Sequence, residues 1–116
     1  MRTLIILNDP PYGTERPYNG VRLAGALAKR PNESVRVFLL GDAVACAKSG
    51  QATPQGYYNL GRMLQVVGSN RGDVGVCGTC MDARGIKDAE LLDGAGRSTL
   101  EELANWVLWA EHVLVF

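Results

Sequence analysis

TLIILNDPPYGTERP, Thr3 to Pro17, joins an unbroken apolar run to a loop and then to the start of a helix. Leu4 to Leu7 carries no polar interruption, so both sides of that backbone must meet apolar partners. A strand with one wet face would alternate; a continuous run predicts a strand buried on both faces of a parallel sheet. Pro10 and Pro11 stiffen the segment that follows, and Gly13 bends it. Beyond Pro17, Val21, Ala24, Leu27 and Ala28 recur at helical spacing, with Arg22 and Lys29 off that face. Pro31 and Asn32 stop this helix.

The same strand-then-helix unit recurs along the chain. SVRVFLL (Ser34 to Leu40) reads as a second strand, closed by Gly41 and Asp42. DAVACAK fits a short helix and KSGQATPQG a loop. Leu60, Met63, Leu64 and Val67 mark an amphipathic helix that Gly68 ends. DVGVC (Asp73 to Cys77) is a third strand, and the loop GTCMDARG is expected to turn toward a short helical segment near Lys87 to Leu91. ELLDG is expected to hold a weak strand or a turn. Ser98 and Glu101 have the spacing of a capping box, in which hydroxyl and carboxylate each satisfy an exposed helix amide. The helix after them carries Leu100, Leu103, Ala104, Val107 and Leu108 on one face, and HVLVF (His112 to Phe116) is the last strand. Strands alternating with helices predict a single α/β domain over residues 1–116. Its expected architecture is a three-layer sandwich: a mostly parallel sheet of about five strands with helices on both faces.

Composition narrows the function. A chain of 116 residues with 47% hydrophobic and 21% charged residues suits one soluble globular domain with a real core. Twelve basic and 12 acidic side chains leave no net charge, which argues against nucleic acid as a partner. No apolar run approaches the ~20 residues of a membrane span, and the opening segment is too short for a secretory apolar core. Three cysteines, an odd number without an export signal, predict free thiols and a cytoplasmic protein.

Cys77 and Cys80 carry the chemistry. The third strand places Cys77 at the carboxyl edge of the sheet, where loops diverge into ligand crevices. A nearby helix start and Arg84 would both favour its thiolate. The plain alternative is a small buried apolar residue ending a strand, the commonest fate of a free cysteine. Structural zinc needs four ligands, and only Cys46 and His112 remain beside the pair, so neither metal nor cofactor is expected. A C-x-x-C dithiol stays open, although a thioredoxin-type site would put proline or an aromatic beside the pair and open a long helix there. Tyr12, Gly13 and Thr14 are expected in the same crevice; Pro10 and Pro11 lack the amides of a phosphate cradle. Cys46, between two alanines, reads as core, and His112 as non-catalytic. Trp106 and Trp109 lie off the leucine stripe of the last helix and predict a subunit interface.

Three elements carry a resemblance: the loop Pro10-Pro11-Tyr12-Gly13-Thr14 after the first strand, Cys77 ending a central strand with Arg84-Gly85 following, and a last helix running into VLVF. With them the sequence resembles the DsrE/TusD-like (DsrE/DsrF, YchN-type) sulfur-transfer family over nearly its whole length. The resemblance implies a homo-oligomer, trimer or hexamer, in which Cys77 accepts sulfur as a persulfide from a donor protein and passes it to an acceptor. Cys80 matches the C-x-x-C version of the stand-alone group. Chemically, Arg84 and the turn of Gly78 and Thr79 would steady a persulfide anion, with Gly85 completing the pocket. The leading expectation is therefore a sulfurtransferase-like carrier. A non-catalytic oligomeric ligand-binding module and a thiol–disulfide redox protein using Cys77 and Cys80 are the alternatives.

Overall fold

In the computed structural model, which describes residues 1–116, the apolar run forms β1 (Arg2–Leu7). It lies between two neighbours, β2 (Ser34–Leu39) and β5 (His112–Val115), both parallel to it. β3 (Asp73–Cys77) pairs with β2, and β4 (Ala95–Ser98) with β3, giving the parallel order β4-β3-β2-β1-β5. The central position explains the apolar run: Leu4, Ile5 and Leu7 are wholly buried.

The pleat sorts the core into two faces. Register aligns Ile6, Phe38 and Gly75 on one side, and Leu7, Leu39 and Val76 on the other. Helices α1 (Arg16–Ala28) and α2 (Leu60–Ser69) pack together over the Leu7 side. There Gly20 lets α1 approach so closely that a methyl group would stand 2.5 Å from Leu7. α4 (Leu100–Trp109) alone covers the Phe38 side. The fold is thus the predicted α/β sandwich, with its three long helices divided two to one between the faces.

That single covering helix is rotated relative to the sequence expectation. Of the stripe Leu100, Leu103, Ala104, Val107 and Leu108, only Leu103 is buried, while Leu108 is 85% exposed. Trp106 points inward instead, meeting Phe38 edge-on with ring centroids 5.7 Å apart. Gly75 makes the slot, since a methyl group there would lie 3.0 Å from both rings. The buried indole fills this slot against Phe38, and its Nε1 donates to Glu102 at 2.8 Å. Trp109 is half-buried under the guanidinium of Arg36, 4.0 Å from the ring centre, so neither tryptophan forms the exposed face.

Two boundaries also move. Ser98 ends β4, and Thr99 is the helix cap, its hydroxyl accepting from the Glu102 amide at 3.1 Å. No reciprocal box forms, because the Glu102 carboxylate is taken by Trp106. The fourth strand is AGRS; ELLDG holds the expected turn at Asp93 and Gly94, with Leu91 making only an isolated antiparallel bridge to Lys48. An edge strand needs no apolar alternation to pair, so its composition gave no signal.

Candidate thiol site at the carboxyl edge of the sheet

Cys77 ends β3, and the helix α3 (Gly78–Ala83) begins at the very next residue, where a loop was expected. The sequence closes this short helix firmly. Gly85 takes a left-handed φ of +67°, the Ile86 amide donates to Met81 and the Gly85 amide to Asp82. This double bond pattern ends helices where glycine follows, with an apolar contact across the turn; here Met81 and Ile86, both buried, supply it. Gly85 therefore caps α3 and does not line the pocket.

Cys77 is 5% exposed, and its sulfur lies 3.3 Å from the Thr79 hydroxyl. The amides of Thr79 and Cys80 favour its charged form, but neither caps the sulfur in hydrogen-bonding geometry. Burial pushes the Cys77 thiol up, but the Cys80 thiol, the Thr79 hydroxyl and these amides outweigh burial and hold it below the ordinary thiol range. Cys80 moves the opposite way: burial and its bond to the Cys77 sulfur raise it, against a smaller pull from the Gly41 amide and Arg84. The pair thus resolves into a thiolate-prone Cys77 and a protonated, donating Cys80. Cys46 is a third case, wholly buried and pushed up to about 12 by that burial, which makes it inert.

Beside Cys77 opens a cleft of about 540 Å³ between the start of α3 and the segment Arg97 to Glu101. Arg97 stands at this junction with all three nitrogens engaged. Nε donates to Asp88 at 2.6 Å, Nη2 to Asp82 at 3.0 Å and Nη1 to the Gly78 carbonyl at 3.1 Å. Gly78 is needed for this approach, because a methyl group there would stand 2.8 Å from Nη1 and 3.1 Å from the Ser98 carbonyl.

The other expected residues divide. Arg84 does reach the pair, but on the far side: its Nε and Nη2 hold Asp42 at 2.9 Å, and Nη1 donates to the Cys80 carbonyl at 3.1 Å. Its charge acts on Cys80, not on Cys77. Tyr12, Gly13 and Thr14 lie outside the Cys77 cleft. The Tyr12 hydroxyl donates to Gln51 at 2.6 Å and accepts from the Leu60 amide, tying the loop to the start of α2. Gly13 turns the loop at φ +96°, and the Thr14 hydroxyl accepts weakly from the Arg16 amide. Arg97, Asp82 and Asp88 were not anticipated, since nothing in the sequence brings position 97 to positions 78, 82 and 88 until β4 is placed. No group of three or more His, Cys, Asp or Glu side chains converges as a metal site would.

The profile of the DsrE/DsrF-like family matches residues 1–116. Protein YchN of Escherichia coli K12 is 41% identical over 116 residues, covering 99% of this chain and 98% of that protein. An uncharacterized protein of Methanocaldococcus jannaschii is 34% identical over the full length of both chains. The crystal structure of the Escherichia coli YchN protein superposes with a TM-score of 0.91 over all of both chains. A protein of unknown function from Methanobacterium thermoautotrophicum shares the fold, with a TM-score of 0.77 at 11% identity and 99% and 98% coverage.

Proposed function

The chain belongs to the DsrE/DsrF-like family, and from that membership we propose that it is a sulfur carrier whose Cys77 accepts sulfur as a persulfide and hands it to a partner protein. The observation that carries this reading is the state of Cys77: a thiolate-prone sulfur, supported by Cys80 and Thr79, at the wall of an open cleft. The Cys77 thiolate attacks the outer sulfur of a donor persulfide R–S–SH. A bond forms between the Cys77 sulfur and that outer sulfur, the donor S–S bond breaks, and R–S⁻ leaves. No net oxidation occurs, and the product is Cys77–S–SH. The Thr79 hydroxyl and neighbouring amides supply donors to the persulfide anion.

Intact mass after incubation with glutathione persulfide tests this. Wild type and Cys80→Ser gain one sulfur and Cys77→Ser gains none; equal loading of Cys77→Ser would sink the proposal.

The opposite pKa shifts of the two neighbouring thiols favour a second outcome at the same site. If Cys80, once deprotonated, attacks the inner sulfur of Cys77–S–SH, a Cys77–Cys80 disulfide forms and HS⁻ leaves. The outer sulfur is reduced, the two thiols are oxidised, and an external dithiol must reset the pair. Sulfide release by wild type but not by Cys80→Ser marks this route.

The reading extends to assembly. Leu100, Val107 and Leu108 of α4 are exposed, and so are Val113 and Val115, which share the Phe38 side of the sheet. An apolar face of this kind fits a homo-oligomer, with trimer or hexamer as the expected form.

A further inference from the structure

We propose that Arg97 is a positioning residue for the Cys77 thiolate: by gripping the Gly78 carbonyl it fixes the start of α3 and so holds the Thr79 hydroxyl against the Cys77 sulfur. The inference rests on Cys77 being the reactive group, as argued above. It follows from the planarity of one peptide unit. The Gly78 carbonyl and the Thr79 N–H belong to the same rigid plane and point in opposite directions. Arg97 Nη1 holds that carbonyl at 3.1 Å, and the same plane carries the Cα of Thr79, whose hydroxyl lies 3.3 Å from the Cys77 sulfur.

The grip is fixed from two further directions. Asp88 takes Nε and Asp82 takes Nη2, so the guanidinium plane has no freedom to swing away from Gly78. Asp82 is one turn along α3 and Asp88 lies in the next turn of chain, so the three bonds clamp β4 onto both. Gly78 completes the fit, because any side chain there would enter the space of Nη1. A surface ion pair serving stability alone requires neither a carbonyl contact nor a glycine beneath it. Lysine has one nitrogen and cannot make three bonds in a fork.

The test is the pH profile of Cys77 alkylation by iodoacetamide, read by peptide mass, in full-length Arg97→Lys, Asp88→Asn and Gly78→Ala proteins. Arg97→Lys is expected to raise the apparent pKa of Cys77 by roughly 0.5–1, slowing alkylation at neutral pH by roughly three- to ten-fold. Gly78→Ala, which displaces Nη1, should shift the profile the same way, and Asp88→Asn by less. A wild-type profile in Arg97→Lys would show that charge alone suffices and overturn the positioning role. So would a wild-type profile in Gly78→Ala. If Arg97→Lys fails to fold, the Gly78→Ala and Asp88→Asn profiles decide by the same criterion. Alkylation needs no sulfur donor, so this result stands apart from success or failure of persulfide loading.

Discussion

Three thiols in one small chain sit in three electrostatic settings, and their reactivities should separate accordingly. Cys77 has its pKa lowered, so its thiolate fraction rises through a midpoint below the ~8.5 of a free thiol. Cys80 is raised, and Cys46 is pushed up to about 12. At pH 7 we expect alkylation in the order Cys77, Cys80, Cys46. The Cys77 rate should climb from pH 6 and level off before the Cys80 rate does. A mass-resolved time course checks the order, and faster labelling of Cys80 would reverse the assigned roles. Cys80→Ser should raise the Cys77 midpoint only modestly, because serine still offers a hydroxyl donor. Arg84→Ala should act chiefly on Cys80, since Arg84 binds the Cys80 carbonyl and not the Cys77 surroundings. Cys46→Ser should leave Cys77 labelling unchanged while costing about 1–3 kcal/mol of stability, the penalty for a buried hydroxyl without a good partner.

At the scale of elements, the strands whose composition is apolar were legible and the polar edge strand was not. TLIIL, SVRVFLL and DVGVC announce themselves because the sheet buries them on both sides. AGRS pairs through its backbone alone, and with it went the position of Arg97 and the wall of the cleft. The helical rotation of α4 was hidden for a different reason. Five aliphatic positions outvoted one tryptophan on the wheel, yet the slot above Gly75, invisible without β3 in place, decides which side turns inward. Trp106→Ala should therefore cost about 3–5 kcal/mol, and Gly75→Ala about 1–3 kcal/mol by overpacking against Phe38 and Trp106. Leu108→Ala, on the outer side of α4, should change the stability of the isolated monomer by less than about 0.5 kcal/mol. Chemical denaturation of the three variants checks this ordering. Cys77 itself was found from its strand, but α3 was missed, because six residues show too little periodicity to betray a helix held by tertiary contacts.

For the whole molecule, the two-to-one division of the three long helices leaves one side of the sheet thinly covered, with β5 an edge strand of exposed valines. Light scattering at micromolar concentration should report a trimer or hexamer, and Leu108→Glu should shift it toward monomer without loss of fold; a monomeric wild type would remove the assembly proposal. The carboxyl edge keeps its own task, a thiolate at the mouth of a cleft with a protonated thiol behind it. The measurement that addresses this most directly is a peptide map of wild-type protein after brief exposure to glutathione persulfide and alkylation. The account predicts the added sulfur on the peptide's Cys77, with Cys80 and Cys46 unmodified at short times. Added sulfur on Cys80 with Cys77 untouched, or on neither, would contradict it.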